Sequence, residues 1–241
     1  MSRDLNISMK IMELLCFYLS EGDKEGPNVL IERQNELNSF GVTTLIHRIL
    51  QRLYSGAFVV ITLKLGTLMM LNGNRTCQDS FVEYAKANDS DGKFFSSTRS
   101  ALNCLNEWIT NTLFDPDAER INEDIASVEP VKELIEGLHF LKFLSSLCAT
   151  NNLNVQVILH DQSSFNRQSV DLLESVNLLI ETIIPHRNAY RNTPMQHMEI
   201  LIASLDLLIA ALLGPCPQNQ VLLLMIIFTS YIIIIVGSFG T

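Results

Sequence analysis

The chain has 241 residues, 47% of them hydrophobic, and sets 17 Lys and Arg against 26 Asp and Glu for a formal net charge of -9. That balance excludes nucleic acid and anionic membrane surfaces as default partners, and the apolar content excludes disorder over most of the length. Mean hydropathy is nonetheless +0.21, high for so acidic a chain, because uncharged apolar residues crowd the stretch after Gln220.

Helical spacing dominates from the start. Ile7, Ile11, Met12, Leu14 and Leu15 fall on one helix face, ended near Gly22. Residues 29–53 read as a longer helical stretch broken near Gly41, and 58–71 as an apolar helix stopped by Gly73 and Asn74. A short helix is expected over 80–87, a turn over 88–92, and a helix over 94–113 carrying Leu102, Leu105, Trp108 and Ile109 on one side. The β-branched run 59–62 keeps the helical period of its flanks.

Residues 114–130 hold Asp115, Asp117, Glu119, Glu123, Asp124 and Glu129 against Arg120 alone, the composition of a solvated acidic connector. Beyond it Leu134, Leu138, Leu141, Leu144 and Cys148 recur at helical spacing. Val170, Leu173, Val176, Ile180 and Ile183 do the same up to Pro185, and Met198, Leu201, Leu205, Leu208, Ile209 and Leu212 up to Gly214 and Pro215. The expected fold is all-α, with about nine or ten helices arranged as an irregular solenoid without a visible sequence repeat.

Chemistry is sparse. Cys16, Cys77, Cys104, Cys148 and Cys216 are widely spaced and read as reduced thiols rather than a disulfide framework or a zinc site. His47, His139, His160, His186 and His197 are scattered, without metal-ligand spacing, and His139 reads as a helix-surface histidine. Asp89, Asp91 and Gly92 resemble part of a calcium loop, but Ala87 and Thr98 stand where that loop needs acids. His186, Arg187 and Arg191 form a small basic loop of low specificity. No nucleophile elbow, phosphate loop or zinc-protease motif occurs, so no catalytic residue, cofactor or metal is assigned.

Three segments resemble, in order, the inositol trisphosphate and ryanodine receptors, the intracellular calcium-release channels. Residues 66–81 resemble the family's apolar helix ending in Leu-x-Gly-Gly-Asn-x-x-x-Gln, through Gly73, Asn74 and Gln78, with Asn72 where the first glycine is usual. Phe94 and Phe95 follow as in its Lys-Phe-Phe. Residues 138–156 resemble its Leu-Leu-Cys-Glu-x-His-Asn-x-x-x-Gln segment through Leu147 and Cys148, with Ala149 and Asn151 replacing the Glu and His. Gly214, Pro215, Cys216, Asn219 and Gln220 are similar to its Gly-Pro-Cys-x-x-Asn-Gln signature, where Gly214 and Pro215 close one helix and Asn219 is suited to cap the next.

The resemblance implies a homology-domain-like module over 1–113, the acidic linker 114–130, a homology-associated module over 131–220, and a tail over 221–241. It implies an armadillo-like scaffold on the cytoplasmic face of an endoplasmic-reticulum-like membrane. As a fragment or divergent relative of the channel, it would relay ligand binding to a gate through contacts with other channel domains or subunits. Catalysis is not implied. Inositol trisphosphate is not expected to bind this segment, which has no basic cluster of the kind the receptors' ligand pocket uses.

The resemblance breaks at Val221, where an uncharged stretch to Val236 begins. It reads as a transmembrane anchor through 221–239, as the artefactual end of a truncated gene model, or as a last core helix. The alternative function is a stand-alone helical adaptor that binds a protein partner on the solenoid surface.

Overall fold

A computed structural model describes residues 3–52, 56–113, 132–184, 195–214 and 216–221. The described residues contain no strand. Ten α-helices lie wholly within them: α1 Arg3–Glu25, α2 Pro27–Ser39, α3 Val42–Leu50, α4 Ala57–Met70, α5 Arg75–Asn88, α6 Lys93–Leu113, α7 Lys132–Cys148, α8 Leu153–His160, α9 Leu172–Ile183 and α10 Met195–Leu212. A 3-10 turn, Leu71–Gly73, joins α4 to α5, and residues 217–221 begin another helix. The acidic connector 114–130, the basic loop 186–191, Pro215 and the tail beyond Val221 lie outside the described residues.

Local chemistry sets the helix limits. Pro27 opens α2, where its missing N–H costs no hydrogen bond. Gly41, at φ 81°, separates α2 from α3, as the break expected there requires. Asn74, Asn152 and Asp171 cap α5, α8 and α9 with side-chain oxygens that accept from Cys77 N, Asn154 N and Glu174 N. The calcium-like sequence 89–92 is a turn. The buried Asp89 carboxylate accepts the N–H groups of Lys93 at 2.8 Å and Phe94 at 3.1 Å, and so starts α6. Burial pushes its pKa up, and those N–H bonds pull it back.

Three expectations need correction. The buried apolar side chains of α1 are Met12 and Leu19, while Ile7, Ile11 and Leu14 are exposed. The short helix expected at 80–87 begins at Arg75, because Asn74 supplies its cap. In α10 the inward residues are His197, Ile200, Leu201, Ala203, Ser204, Leu207, Leu208 and Ala211, so Met198, Leu205 and Ile209 face out. An all-apolar helix surface hides which face is inside, since periodicity locates a stripe only when the other face is polar.

One hydrophobic cluster runs from Met12 to Ala211, so helices on both sides of the connector share a core. The middle of it is α7, which packs on α4, α6 and α10. Close approach uses Gly66 and Gly137: a Cβ on Gly66 would lie 2.6 Å from Phe143 Cε2, and one on Gly137 2.6 Å from Leu105 Cδ2. The fully buried Phe81, Phe94, Phe95 and Phe143 fill the centre in edge-on pairs, with Phe94 at 5.2 Å from Phe81 and 5.1 Å from Phe95. Each buried phenyl ring contributes about 1.5–3 kcal/mol relative to exposure.

Candidate functional site: three stacked helix corners

The residues singled out in the sequence converge on three corners, at the C-termini of α4, α7 and α10. A helix ends with bare carbonyls that need donors. At each corner a fully buried glutamine from another helix supplies them. Gln34 of α2 donates through Nε2 to Leu68 O at 2.7 Å and Leu71 O at 3.1 Å. Gln78 of α5 donates to Ser146 O at 3.4 Å and Ala149 O at 2.9 Å. Gln156 of α8 donates to Ala210 O at 3.0 Å and Leu213 O at 2.6 Å. The two carbonyls are three residues apart in all three cases.

An asparagine completes each corner. Asn74 Nδ2 donates to Gln34 Oε1 at 2.9 Å and to Asn35 Oδ1 at 3.0 Å. Asn152 Nδ2 donates to Gln78 Oε1 at 3.1 Å and to Asp79 Oδ1 at 2.9 Å. The pattern is the same one corner later, down to the residue following the glutamine. Asn219 departs from it. Rather than capping the next helix as the sequence reading expected, it sits inside the turn that begins at Pro217, and donates to the main-chain carbonyls of Gln156 and Ala211, both at 3.0 Å. Gln156 Oε1 and Asn219 Oδ1 accept nothing among the described residues. Gln220, exposed, donates to Gly214 O at 2.8 Å.

The backbone of the first two corners also repeats. Asn72 and Gly73 take φ 61° and 70°, Thr150 and Asn151 φ 61° and 59°, and each pair runs into the capping asparagine. Two successive left-handed residues are uncommon outside glycine and asparagine, and Thr150 is the strained member. The corners touch one another. A Cβ on Gly73 would lie 2.3 Å from Thr150 Cγ2, and one on Gly214 2.8 Å from Asn151 Cβ. Gly73 and Gly214, both at positive φ, are therefore required by conformation and by space alike.

The remaining motif residues are packing. Leu147, Cys148 and Cys216 are buried beside the corners, and Phe94 and Phe95 belong to the central ring cluster. Burial pushes the Cys148 thiol up, reinforced by Cys216, and pushes the Cys77 thiol up to about 12, so neither is a nucleophile at neutral pH. All five cysteines are free. His47 lies wholly buried against Phe81, Tyr84 and Phe94, with neither ring nitrogen bonded, and desolvation lowers its pKa to about 3. His197 stacks on Trp108 at 5.0 Å and shares a 2.8 Å hydrogen bond with Thr112. Burial lowers its pKa to about 4. His139, expected on the surface, is half-buried, with its pKa lowered to about 4 by burial and then by Lys64 and Lys142. Among the described residues no group of three or more His, Cys, Asp or Glu is placed to hold a metal.

The sequence reading did not find Gln34, Asn152 and Gln156 as partners of the motif residues. The available signal was Asn-x-x-x-Gln, present at 74–78 and again at 152–156. That spacing places on one helix face the side chain that finishes one corner and the side chain that holds the next.

In a helical region of this build the motif residues serve to join helices. Residues 132–236 match the family described as RyR and IP3R Homology associated. The family's channels are the intracellular calcium-release channels named by the sequence resemblance. The match continues past Gln220 to Val236, so the break in resemblance expected at Val221 is not there. Comparison with curated proteins finds no match to the chain.

Proposed function

We propose that the chain is a regulatory helical region of an intracellular ligand-gated calcium-release channel, as a fragment or divergent relative, and relays ligand binding toward the gate. The observation that carries this is the family match over 132–236. The corners support the extension to 1–113 as a homology-domain-like module. Gln34 and Asn74 build in the first module the joint that Gln78 and Asn152 build at the second. Grouped by corner, the helices fall into three-helix units, α2–α4, α5–α7 and α8–α10, which favours an armadillo-like solenoid.

A relay needs a stiff body and surfaces that neighbours can push. The buried glutamines supply stiffness, because displacing one leaves several polar groups unpaired. Two apolar stripes supply surfaces: Ile7, Ile11, Leu14 and Phe17 on α1, and Met198, Ile202, Leu205 and Ile209 on α10, all exposed. These fit contacts with other channel domains or subunits. Of the described helices, α10 alone is long and apolar enough to cross a membrane, but 44% of it is buried in the fold, which argues for a scaffold helix. The uncharged stretch 221–239 stays the candidate for membrane attachment, with the scaffold on the cytoplasmic face.

The test is store-calcium release in permeabilised cells expressing the chain. Expression shifts the agonist sensitivity of release, and substitution Gln78→Leu, which opens the second corner, abolishes the shift. Unchanged release, with a protein still captured through the α1 stripe, would instead establish the adaptor reading that this exposed stripe favours.

A further inference from the structure

We propose that Asn72 and Gly73 form a self-modification site, at which the Asn72 amide converts to aspartate and isoaspartate, and that the first corner is the latch on this reaction. The inference does not depend on the channel reading. The chain has one Asn-Gly pair, and its Asn72 stands where the motif it resembles carries glycine. The Asn72 side chain is exposed and makes no hydrogen bond among the described residues.

The chemistry needs only the pair and water. The Gly73 main-chain nitrogen, once its proton has passed to hydroxide, attacks Asn72 Cγ. The new N–Cγ bond closes a five-membered imide, the Cγ–Nδ2 bond breaks, and the departing nitrogen takes up a proton and leaves as ammonia. Glycine hinders the attack least, because it has no Cβ beside the nitrogen. Water then opens the imide. Opening at Cγ leaves aspartate in an ordinary main chain. Opening at the main-chain carbonyl leaves isoaspartate, in which the chain runs through the former side chain and gains one methylene. That insertion, inside the corner, moves Asn74 out of register with Gln34 and loosens the joint.

The fold restrains the first step. Asn72 sits at φ 61° and ψ 15°. At that ψ, Gly73 N and Asn72 Cβ lie on opposite sides of the Cα–C bond, so ring closure requires the peptide to swing round. Contacts on both sides of the pair oppose the swing. Gln34 Nε2 donates to Leu71 O at 3.1 Å, and Gln34 Oε1 accepts from Asn74 Nδ2 at 2.9 Å. Gly73 itself lies against Thr150, whose hydroxyl oxygen is 3.2 Å from Gly73 O. The reaction therefore proceeds from the open corner, and its rate follows how often the corner opens.

The test is mass-spectrometric peptide mapping of the full chain aged in mildly alkaline buffer. Asn72 is expected to convert first among the asparagines, to isoaspartate as well as aspartate, with release of ammonia. Gln34→Leu, which removes the latch, should speed conversion about tenfold or more while helical circular dichroism persists. Should that variant unfold, Asn74→Ser, which drops the tie to Gln34 but keeps a capping oxygen, should give the same acceleration. Gln156→Leu, which opens the remote third corner, should leave the Asn72 rate unchanged, and Asn72→Gln should abolish the reaction at this position. Aspartate without isoaspartate, earlier conversion at another asparagine, or equal acceleration by Gln34→Leu and Gln156→Leu overturns the proposal.

Discussion

Gln78 is the side chain on which the second corner rests, and its replacement by leucine is the most informative single perturbation. Leucine fills similar space but cannot donate to Ser146 O and Ala149 O or accept from Asn152 Nδ2. Ala149 O retains the Thr150 hydroxyl, Ser146 O retains the Ala149 N–H at 3.3 Å, and Asn152 Nδ2 retains Asp79, so the loss is that of three hydrogen bonds rather than of a wholly unpaired group. Three lost hydrogen bonds at about 1 kcal/mol each mean that Gln78→Leu should destabilise by about 3 kcal/mol. Asn152→Ala removes a helix cap as well as both Nδ2 bonds, for about 2 kcal/mol. The two share one hydrogen bond, so the double variant should be less destabilised than the sum by about 1 kcal/mol. Urea unfolding followed by circular dichroism measures all three, with Gln168→Leu, at an exposed position, as the silent control. A loss below about 1 kcal/mol for Gln78→Leu, or strict additivity, would refute the corner as a cooperative joint.

Gly73→Ala should destabilise by at least about 2 kcal/mol, from a left-handed alanine and the collision with Thr150. Thr150→Gly should recover much of that loss in the double variant, as read from thermal midpoints. His47 is neutral in the fold, with its pKa lowered to about 3, and titrates near 6.5 when unfolded. The unfolded chain therefore binds the extra proton between those values. The stabilisation is complete above pH 6.5 and falls as pH drops through the window. At about pH 4.5 the loss from this residue alone should be near 2–3 kcal/mol, seen as a steeper acid destabilisation of the native chain than of His47→Phe. Thiol titration should find Cys104 reactive in the folded protein, and Cys77, Cys148 and Cys216 silent until denaturant is added.

The helices were legible because apolar spacing, Gly41 and the capping residues each act locally. The orientation of α1 and α10 was not. Ile7, Ile11 and Leu14 look like a core stripe, yet Met12 and Leu19 are the apolar residues buried where α1 packs on α4 and α2, and tertiary contacts decide between apolar faces. Motif membership of Gly73, Asn74, Gln78 and Gly214 was legible, while their purpose was not. The glutamine and the carbonyls it serves are 68 and 71 residues apart at the second corner, a pairing that only the folded chain defines.

The three glutamines all fasten helices at the same kind of place, the carboxyl ends of α4, α7 and α10. Hydrogen bonds fix distance and direction, whereas apolar contacts tolerate sliding. Asn74 and Gln78 are four residues apart on α5, and Asn152 and Gln156 four apart on α8, about 6 Å along each axis. One turn of helix therefore ties one joint to the next, as the sewn edge of a book holds its pages in register. The last joint is bound off differently: Asn219 ties it through two main-chain carbonyls, and Gln156 and Asn219 each keep an acceptor without a donor among the described residues.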